Sequence, residues 1–379
     1  MPVEERPSGK AFPRTGPRAW TGLPPSPRHL HRSGPHTLAV SLPKNWVERH
    51  ALSRGSVVWL CGQEDGRLAV DPFGSGPAPR FRERVLRVEE AHFSEPEVLA
   101  RTVFGAYVVG YDRIELADGK GFDRDRQKEV ARVARSLVGL QVVYLDRHLI
   151  ALQSFVDPRR HTIPQILARA GLVVTEMTQL LSRAMETQGR IPLEELREME
   201  SEADRLYALT LRQLMLAHQD SGLAGLLDVS EPPDLLGSRV VGKVLEEIAD
   251  LLFRAGSALG DGLEGREIPP RLRRDLCSHL EALRAMVTDA SRSLLREDSA
   301  LAHRVLRSQG EAQRSLRQTE LALARARLPR RQTASLAMFA WGMGTARHLC
   351  GTIAEVALNQ SIRSTGSVRS APSEGRERS

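Results

Sequence analysis

The chain has 379 residues, of which 41% are hydrophobic and 27% charged, and its formal net charge is +7. This length predicts two or three domains with enough chain for a sizeable core. No apolar run approaches the roughly 18 residues that a bilayer helix needs, and the N-terminus lacks the apolar stretch of a secretory signal. We therefore expect a cytoplasmic protein without a transmembrane segment. The basic excess comes from 49 arginines and five lysines, a signal too general to predict nucleic-acid binding by itself.

Both ends of the chain have the composition of disordered segments. Residues 1–32 contain seven prolines, six basic residues and two acidic ones, and they cannot bury enough apolar surface to become ordered. We predict a disordered basic arm there. Residues 362–379 are rich in Ser, Gly and Arg without periodicity, which predicts a disordered tail.

Residues 33–80 form a small β-α-β-β pattern. A strand (37–42) and a helix (43–52) precede two further strands (57–61 and 67–71). The last two strands flank Glu64-Asp65-Gly66, in which Asp-Gly is a strong hairpin signal. A unit this small rarely stabilises itself alone, so we expect it to dimerise.

This region resembles the SpoVT/AbrB swapped-hairpin family. The resemblance rests on His-Thr-Leu-Ala-Val-Ser-Leu-Pro-Lys-Asn-Trp-Val (36–47), Leu-Ser-Arg-Gly-Ser-Val-Val (52–58) and Gly-Arg-Leu-Ala-Val (66–70). It implies that two chains interleave their hairpins into one barrel that binds DNA. By the same resemblance, the phosphate-facing residues would be Arg28, Arg32, Lys44 and Arg54. The alternative is a dimerisation device only, because residues 33–80 carry five basic and four acidic side chains.

Residues 81–157 are predicted to be an α/β connector. Short strands at 85–88, 114–116, 141–145 and 148–153 alternate with amphipathic helices at 96–109 and 124–138. No catalytic constellation is recognisable in this segment.

Long helical periodicity begins after residue 160. Three predicted helices (about 163–184, 192–218 and 234–259) are followed by Pro269-Pro270 and by three more (about 276–294, 299–328 and 332–359). This order indicates an internal duplication, with repeat 1 at 158–265 and repeat 2 at 266–361. We expect each repeat to be an antiparallel three-helix bundle.

Repeat 1 carries two pairs of carboxylates at helical spacing. Glu200 and Asp204 are four residues apart on one helix, and Glu246 and Asp250 repeat that spacing on the next. Like charges at this spacing repel one another. Each pair therefore needs a metal cation or an arginine, such as Arg205 or Arg254, to offset it.

The acidic segments resemble the signatures of the PhoU family of phosphate-uptake regulators. The resemblance rests on Glu-Ser-Glu-Ala-Asp-Arg-Leu (200–206) and Leu-Glu-Glu-Ile-Ala-Asp (245–250), and the domain order resembles that of archaeal PhoU-related regulators. It implies a cluster of iron, zinc or another divalent metal held by Glu200, Asp204, Glu246 and Asp250. It also implies a phosphate ABC transporter, its sensor kinase, or both as partners.

Repeat 2 departs from the family pattern. Gln309 and Gln313 replace the first acidic pair, and Arg347 and Gly351 replace the second. Neutral amides and a cation cannot hold a hard metal ion, so we expect a metal site in repeat 1 only. We also expect Gln309 and Arg347 to be partly buried and bonded to each other.

Together these features predict an α+β multidomain protein with a dimeric swapped-hairpin β-barrel, an α/β connector and a C-terminal all-α PhoU-like pair of three-helix bundles. We expect a non-enzymatic, DNA-binding regulator of phosphate uptake, without catalytic residues and at least dimeric. One alternative is an AbrB-type transcription factor whose helical bundle is only a dimerisation scaffold. The other, which we rank last, is a metal-dependent hydrolase using the four carboxylates.

Overall fold

A computed structural model describes residues 27–34, 37–62, 68–72, 83–89, 96–187, 190–229, 231–263 and 267–365. The chain is an α+β protein with a small N-terminal β region and a C-terminal helical bundle. It divides into two compact units, Met1–Arg80 and Phe81–Ser379. Most of the predicted arm (1–26) and of the predicted tail (366–379) lies outside the described residues.

The N-terminal unit contains two short antiparallel strand pairs and one helix. Strand β1 (His31–Arg32) pairs with β2 (Leu38–Ala39), helix α1 spans Lys44–Arg49, and β3 (Trp59–Gly62) pairs with β4 (Leu68–Asp71). Strand β1 falls at the end of the predicted disordered arm, and the prediction is wrong there because these residues form a ladder. The predicted hairpin turn at 64–66 lies outside the described residues.

A four-stranded sheet with two helices begins the second unit. Its elements are β5 (Val85–Glu89), α2 (Pro96–Val109), β6 (Arg113–Ala117), α3 (Arg124–Arg135), β7 (Leu140–Leu145) and β8 (Leu149–Ser154). The strand order is β5-β6-β8-β7, in which β5 and β6 are parallel and the other pairs antiparallel. The predicted boundaries of these elements are correct to within three residues. Apolar side chains of the sheet and both helices form one core, including Leu99, Val103, Ile114, Val130 and Leu152.

The remainder of the second unit is helical. Its helices are α4 (Ile163–Glu186), α5 (Leu193–Gln219), α6 (Ser221–Leu226), α7 (Pro232–Leu263), α8 (Pro270–Arg296), α9 (Ser299–Arg325) and α10 (Arg330–Thr365). The six long helices were predicted and the short α6 was not. Helix α10 also continues to Thr365, so the prediction of disorder is wrong for residues 362–365.

Local sequence signals define where several helices begin. The side chain of Asp298 accepts hydrogen bonds from the backbone N–H groups of Ala300 and Leu301 at 2.9 and 3.1 Å and thereby caps α9. Asp123 caps α3 in the same way by accepting from Arg126 N at 2.8 Å. Such caps satisfy backbone donors that have no partner within the helix.

The two helical repeats share one hydrophobic core. The most extensive helix packing is between α7 of the first repeat and α10 of the second, and α4 packs against α8 in the same way. Buried residues of both repeats belong to a single cluster, including Met177, Leu252, Leu283 and Phe339. The repeats therefore form one six-helix bundle, because each would leave an apolar face exposed without the other.

Candidate metal centre

Three acidic side chains from α5 and α7 converge on one point. Asp204, Glu246 and Asp250 each place a carboxylate oxygen within 4.8 Å of the other two. The two helices approach closely at Gly242, where an added Cβ would lie 3.3 Å from Thr210 Cγ2. The predicted spacing on each helix and this close packing between helices together assemble the acidic trio of Asp204, Glu246 and Asp250.

Glu200 lies one turn before Asp204 on α5 and stands beside the trio rather than within it. Burial raises the pKa of its carboxyl group, and the negative charge of Asp250 raises it further. Three of the four predicted metal ligands are thus brought together, while the fourth is coupled to them through its charge.

Burial and nearby negative charge raise the pKa of Asp204. Desolvation by the surrounding side chains, followed by the charges of Glu200, Glu246 and Asp250, raises the pKa of Asp204 to about 6. Asp204 nevertheless remains accessible to solvent. A carboxyl group that is both accessible and held among other carboxylates favours any ligand that brings positive charge.

Two cations contact the trio. Lys243 forms an ion pair with Glu246 and lies 5.7 Å from the centre of the Tyr207 ring, and Arg254 Nη2 lies 3.2 Å from Asp250 Oδ2. Among the described residues, Asp204 has no ion-pair partner. Arg254 was predicted as a neutralising residue and Lys243 was not, although the position of Lys243 three residues before Glu246 was the available signal.

Arg205, the other predicted neutralising arginine, does not reach the trio. Its guanidinium binds Glu202 instead, at 2.8 and 3.0 Å, and Glu202 also accepts from Arg169 at 3.1 Å. The separate Arg205–Glu202–Arg169 network leaves the negative charge around Asp204 uncompensated on the α5 side.

The donor atoms indicate which metal ions fit. The trio offers carboxylate oxygens, and no imidazole or thiol joins it among the described residues. Oxygen-only sets suit hard divalent cations such as Mg²⁺, Mn²⁺ and Ca²⁺, whereas structural zinc sites use cysteine and histidine. Within the predicted range of metals, these residues fit a hard divalent ion best.

The corresponding place in repeat 2 is built differently. Gln309 Nε2 donates to the carbonyl of His348 at 3.0 Å, and Arg347 Nη2 donates to the carbonyl of Ala312 at 2.8 Å. Gln309 and Arg347 are partly or fully buried as expected, but each binds the backbone of the other's helix rather than the other side chain. Gly351 permits this, because a Cβ there would lie 1.8 Å from Gln309 Nε2.

The predicted DNA-binding residues all lie on the N-terminal unit and are exposed. Arg28 precedes β1, Arg32 lies in β1, Lys44 begins α1, and Arg54 follows α1 in a loop. Lys44 forms an exposed ion pair with Glu48 at 3.7 Å. Exposure makes all four side chains available to a polyanion.

Within the described part of the chain, no helix has both the length and the hydropathy needed to cross a membrane. Comparisons of the chain with protein-family models, curated proteins and solved structures give no match.

Proposed function

We propose that the protein is a non-enzymatic regulator in which a divalent metal ion bound by the helical bundle modulates DNA binding by the N-terminal unit. The observation that carries this proposal is the convergence of Asp204, Glu246 and Asp250 within 4.8 Å. The phosphate-uptake role and the phosphate transporter or sensor kinase as partners come from the sequence resemblance to PhoU proteins.

The charge distribution around the trio supports metal control. Lys243 and Arg254 form ion pairs with Glu246 and Asp250, whereas Asp204 forms none among the described residues. The pKa of Asp204 is raised to about 6, although the charge of Lys243 opposes this shift. A divalent ion would remove this repulsion and bind the helices α5 and α7 together more tightly. Regulation requires such a difference between the metal-bound and metal-free bundle.

The surface of the N-terminal unit supports DNA binding by a dimer. Arg28, Arg32, Lys44 and Arg54 are exposed, as DNA phosphates require. Seven large apolar side chains of this unit are exposed in the single chain, namely Leu30, Leu38, Val40, Val57, Trp59, Leu60 and Leu68. None of the unit's residues with a described side chain is buried. A second copy that covers these side chains would supply the missing core.

A second candidate is a transcription factor whose bundle is only a dimerisation scaffold. The ion pairs Lys243–Glu246 and Arg254–Asp250 favour it, because they offset part of the acidic charge without any metal. The two candidates differ in one measurable property. Only the metal-responsive regulator changes its DNA affinity when the trio binds a metal ion.

The test is fluorescence-anisotropy titration of the full-length protein against random duplex DNA, with EDTA or with Mn²⁺, over a salt series. We expect Mn²⁺ to change the DNA dissociation constant of the wild type severalfold and to leave that of Asp204→Asn/Asp250→Asn unchanged. Asp261→Asn, an exposed acid elsewhere on α7, is the matched control and should respond like the wild type.

The DNA contacts are tested in the same titration. Lys44→Gln and Arg54→Gln should each reduce the log–log salt slope by about one unit if each contacts one phosphate. DNA binding that ignores Mn²⁺ would support the scaffold candidate, and absence of DNA binding at low salt would refute both. Mn²⁺-dependent hydrolysis of a phosphate ester by the wild type but not by Asp204→Asn would indicate a hydrolase instead.

A further inference from the structure

Repeat 2 buries a charged arginine that has no charged partner among the residues that the structure describes. Arg347 on α10 is 3% exposed, and no carboxylate of the described residues forms an ion pair with it. A guanidinium has five N–H donors, and the structure gives Arg347 one hydrogen bond, from Nη2 to the carbonyl of Ala312. Its Nε is buried and lacks an acceptor among the described residues.

The groups around Arg347 do not supply the missing negative charge. His279 lies near it, and burial together with the Arg347 charge lowers the pKa of His279 to about 4, so the imidazole is neutral at pH 7. Cys350 is fully buried, which raises the pKa of its thiol and keeps it protonated. A buried cation with neutral neighbours is costly, since desolvation disfavours the charge and nothing offsets it.

A cavity of about 560 Å³ lies directly beside this arginine. Arg347 forms part of its wall, together with polar groups of Gln309, Gln313 and Thr345 and apolar groups of Leu316 and Trp341. This volume is in the usual range for small-molecule sites and is larger than one inorganic ion requires. Amide donors, a guanidinium and an apolar surface therefore line a single cavity.

Two glycines of α10 allow side chains of α9 to pack closely beside the cavity. An added Cβ at Gly344 would lie 2.2 Å from Leu316 Cδ2, and one at Gly351 would lie 1.8 Å from Gln309 Nε2. Side chains of α9 thus rest directly on the backbone of α10 above and below Arg347. The cavity occupies the position in repeat 2 that corresponds to the acidic trio in repeat 1.

We propose that this cavity binds a small organic anion, whose carboxylate or phosphate oxygens pair with Arg347 and whose apolar part contacts Leu316 and Trp341. Carboxylates and phosphates share the geometry that a guanidinium recognises with two parallel hydrogen bonds. The bundle then carries a cation site in one repeat and an anion site in the other. This inference does not depend on the metal site or on DNA binding.

The experiment is isothermal titration of the full-length protein with phenyl phosphate, benzoate and inorganic phosphate at constant ionic strength. We expect saturable binding of at least one organic probe, weakened at least tenfold in Arg347→Met. The preference between phenyl phosphate and benzoate identifies the oxyanion. Arg292→Met, which removes an exposed arginine from α8, should bind like the wild type.

A second variant tests the cavity without removing Arg347, so that unfolding of Arg347→Met is not mistaken for loss of binding. Gln313 is exposed at the cavity wall, so Gln313→Trp should fill the cavity while leaving Arg347 and the core unchanged. We expect this variant to melt like the wild type without probe and to lose probe binding. Absence of saturable binding in the wild type, or equal binding by wild type and Gln313→Trp, would overturn the proposal.

Discussion

Arg212 of helix α5 and Asp112, the residue before strand β6, form an ion pair that joins the helical bundle to the four-stranded sheet, with Arg212 buried and Asp112 partly exposed. Arg212 Nη2 lies 2.8 Å from Asp112 Oδ1, and its Nη1 donates to the carbonyls of Tyr107 and Tyr111, each at 2.8 Å. The guanidinium carbon also lies 5.0 Å from the centre of the Tyr107 ring. The side chain of Arg212 therefore donates hydrogen bonds to backbone carbonyls at the end of α2 and in the turn that follows.

Removal of Arg212 should lower the free energy of unfolding, because this side chain links the sheet to the bundle. Arg212 is 1% exposed, and Arg212→Met removes its hydrogen bonds to Asp112 Oδ1 and to the carbonyls of Tyr107 and Tyr111. Arg84 N still donates to Asp112 Oδ2, and Gly110 N still donates to the Tyr107 carbonyl. We expect a loss of about 3 kcal/mol in the free energy of unfolding. Urea denaturation followed by circular dichroism measures it, with exposed Arg183→Met on α4 as the control within about 0.5 kcal/mol. Equal midpoints for both variants would contradict the structural role.

The acidic trio should make stability depend on pH. The folded pKa of Asp204 is about 6 and its ordinary value is 3.8. Between these values the folded chain binds more protons than the unfolded chain, so the metal-free protein should lose stability as pH rises from about 4 to about 6. Asp204→Asn should reduce this dependence and Asp261→Asn should not, as measured by urea midpoints in EDTA at about pH 4 and about pH 6.

Metal affinity should rise over the same range of pH. A metal ion must displace the proton from Asp204, so below pH 6 the affinity for Mn²⁺ should fall by about tenfold per pH unit. Calorimetric titration with Mn²⁺ at pH 5.0, 6.0 and 7.5 tests this. Affinity that is unchanged across the range would mean that Asp204 is not a ligand.

Lys243 should compete with the metal ion. It forms an ion pair with Glu246, one member of the trio, so Lys243→Gln removes a positive charge from the site. We expect Lys243→Gln to bind Mn²⁺ severalfold more tightly than the wild type. Lys128→Gln removes an exposed lysine that pairs with Asp125 on α3, and its Mn²⁺ affinity should equal that of the wild type.

Close packing of α7 against α10 can be tested at Gly262. A Cβ there would lie 1.7 Å from Ser335 Oγ and 2.4 Å from Ser335 Cβ, so Gly262→Ala should cost about 1–3 kcal/mol of stability. The matched substitution is Gly105→Ala in α2, where an added Cβ meets nothing within 4 Å. It should instead stabilise by about 0.5–1 kcal/mol. Thermal melts of both variants give opposite shifts if the bundle is packed as described.

If the N-terminal unit forms the dimer interface, a charge introduced there should prevent dimerisation, whereas a charge introduced on the bundle should not. Leu60 in β3 is 63% exposed in the single chain, and Leu60→Glu should convert the dimer to monomer because the charge would be buried between copies. Leu321→Glu, at a 50% exposed position on α9, should leave the mass unchanged. Light scattering coupled to gel filtration measures both. A dimeric Leu60→Glu protein would exclude this face as the interface.

Patterns along the chain are sufficient to predict the secondary structure of the helical half and the placement of its acidic residues. Apolar periodicity located the six long helices, and the spacing of Glu200 with Asp204 and of Glu246 with Asp250 placed each pair on one face. These are local properties, fixed by the pitch of an α-helix. The sequence also shows that Gln309 and Arg347 of repeat 2 stand where repeat 1 has acidic residues.

Contacts between side chains of different elements depend on tertiary packing and could not be predicted from these patterns. Arg212 reaches Asp112 over 100 positions of sequence, and Arg347 reaches the Ala312 carbonyl of a neighbouring helix. The tertiary structure also shows that the two repeats share one core and that α5 and α7 bring Asp204 together with Glu246 and Asp250. Periodicity reports which face of a helix is apolar, but the partner of that face depends on how helices pack together. The contacts that define both candidate sites therefore depend on how the helices pack.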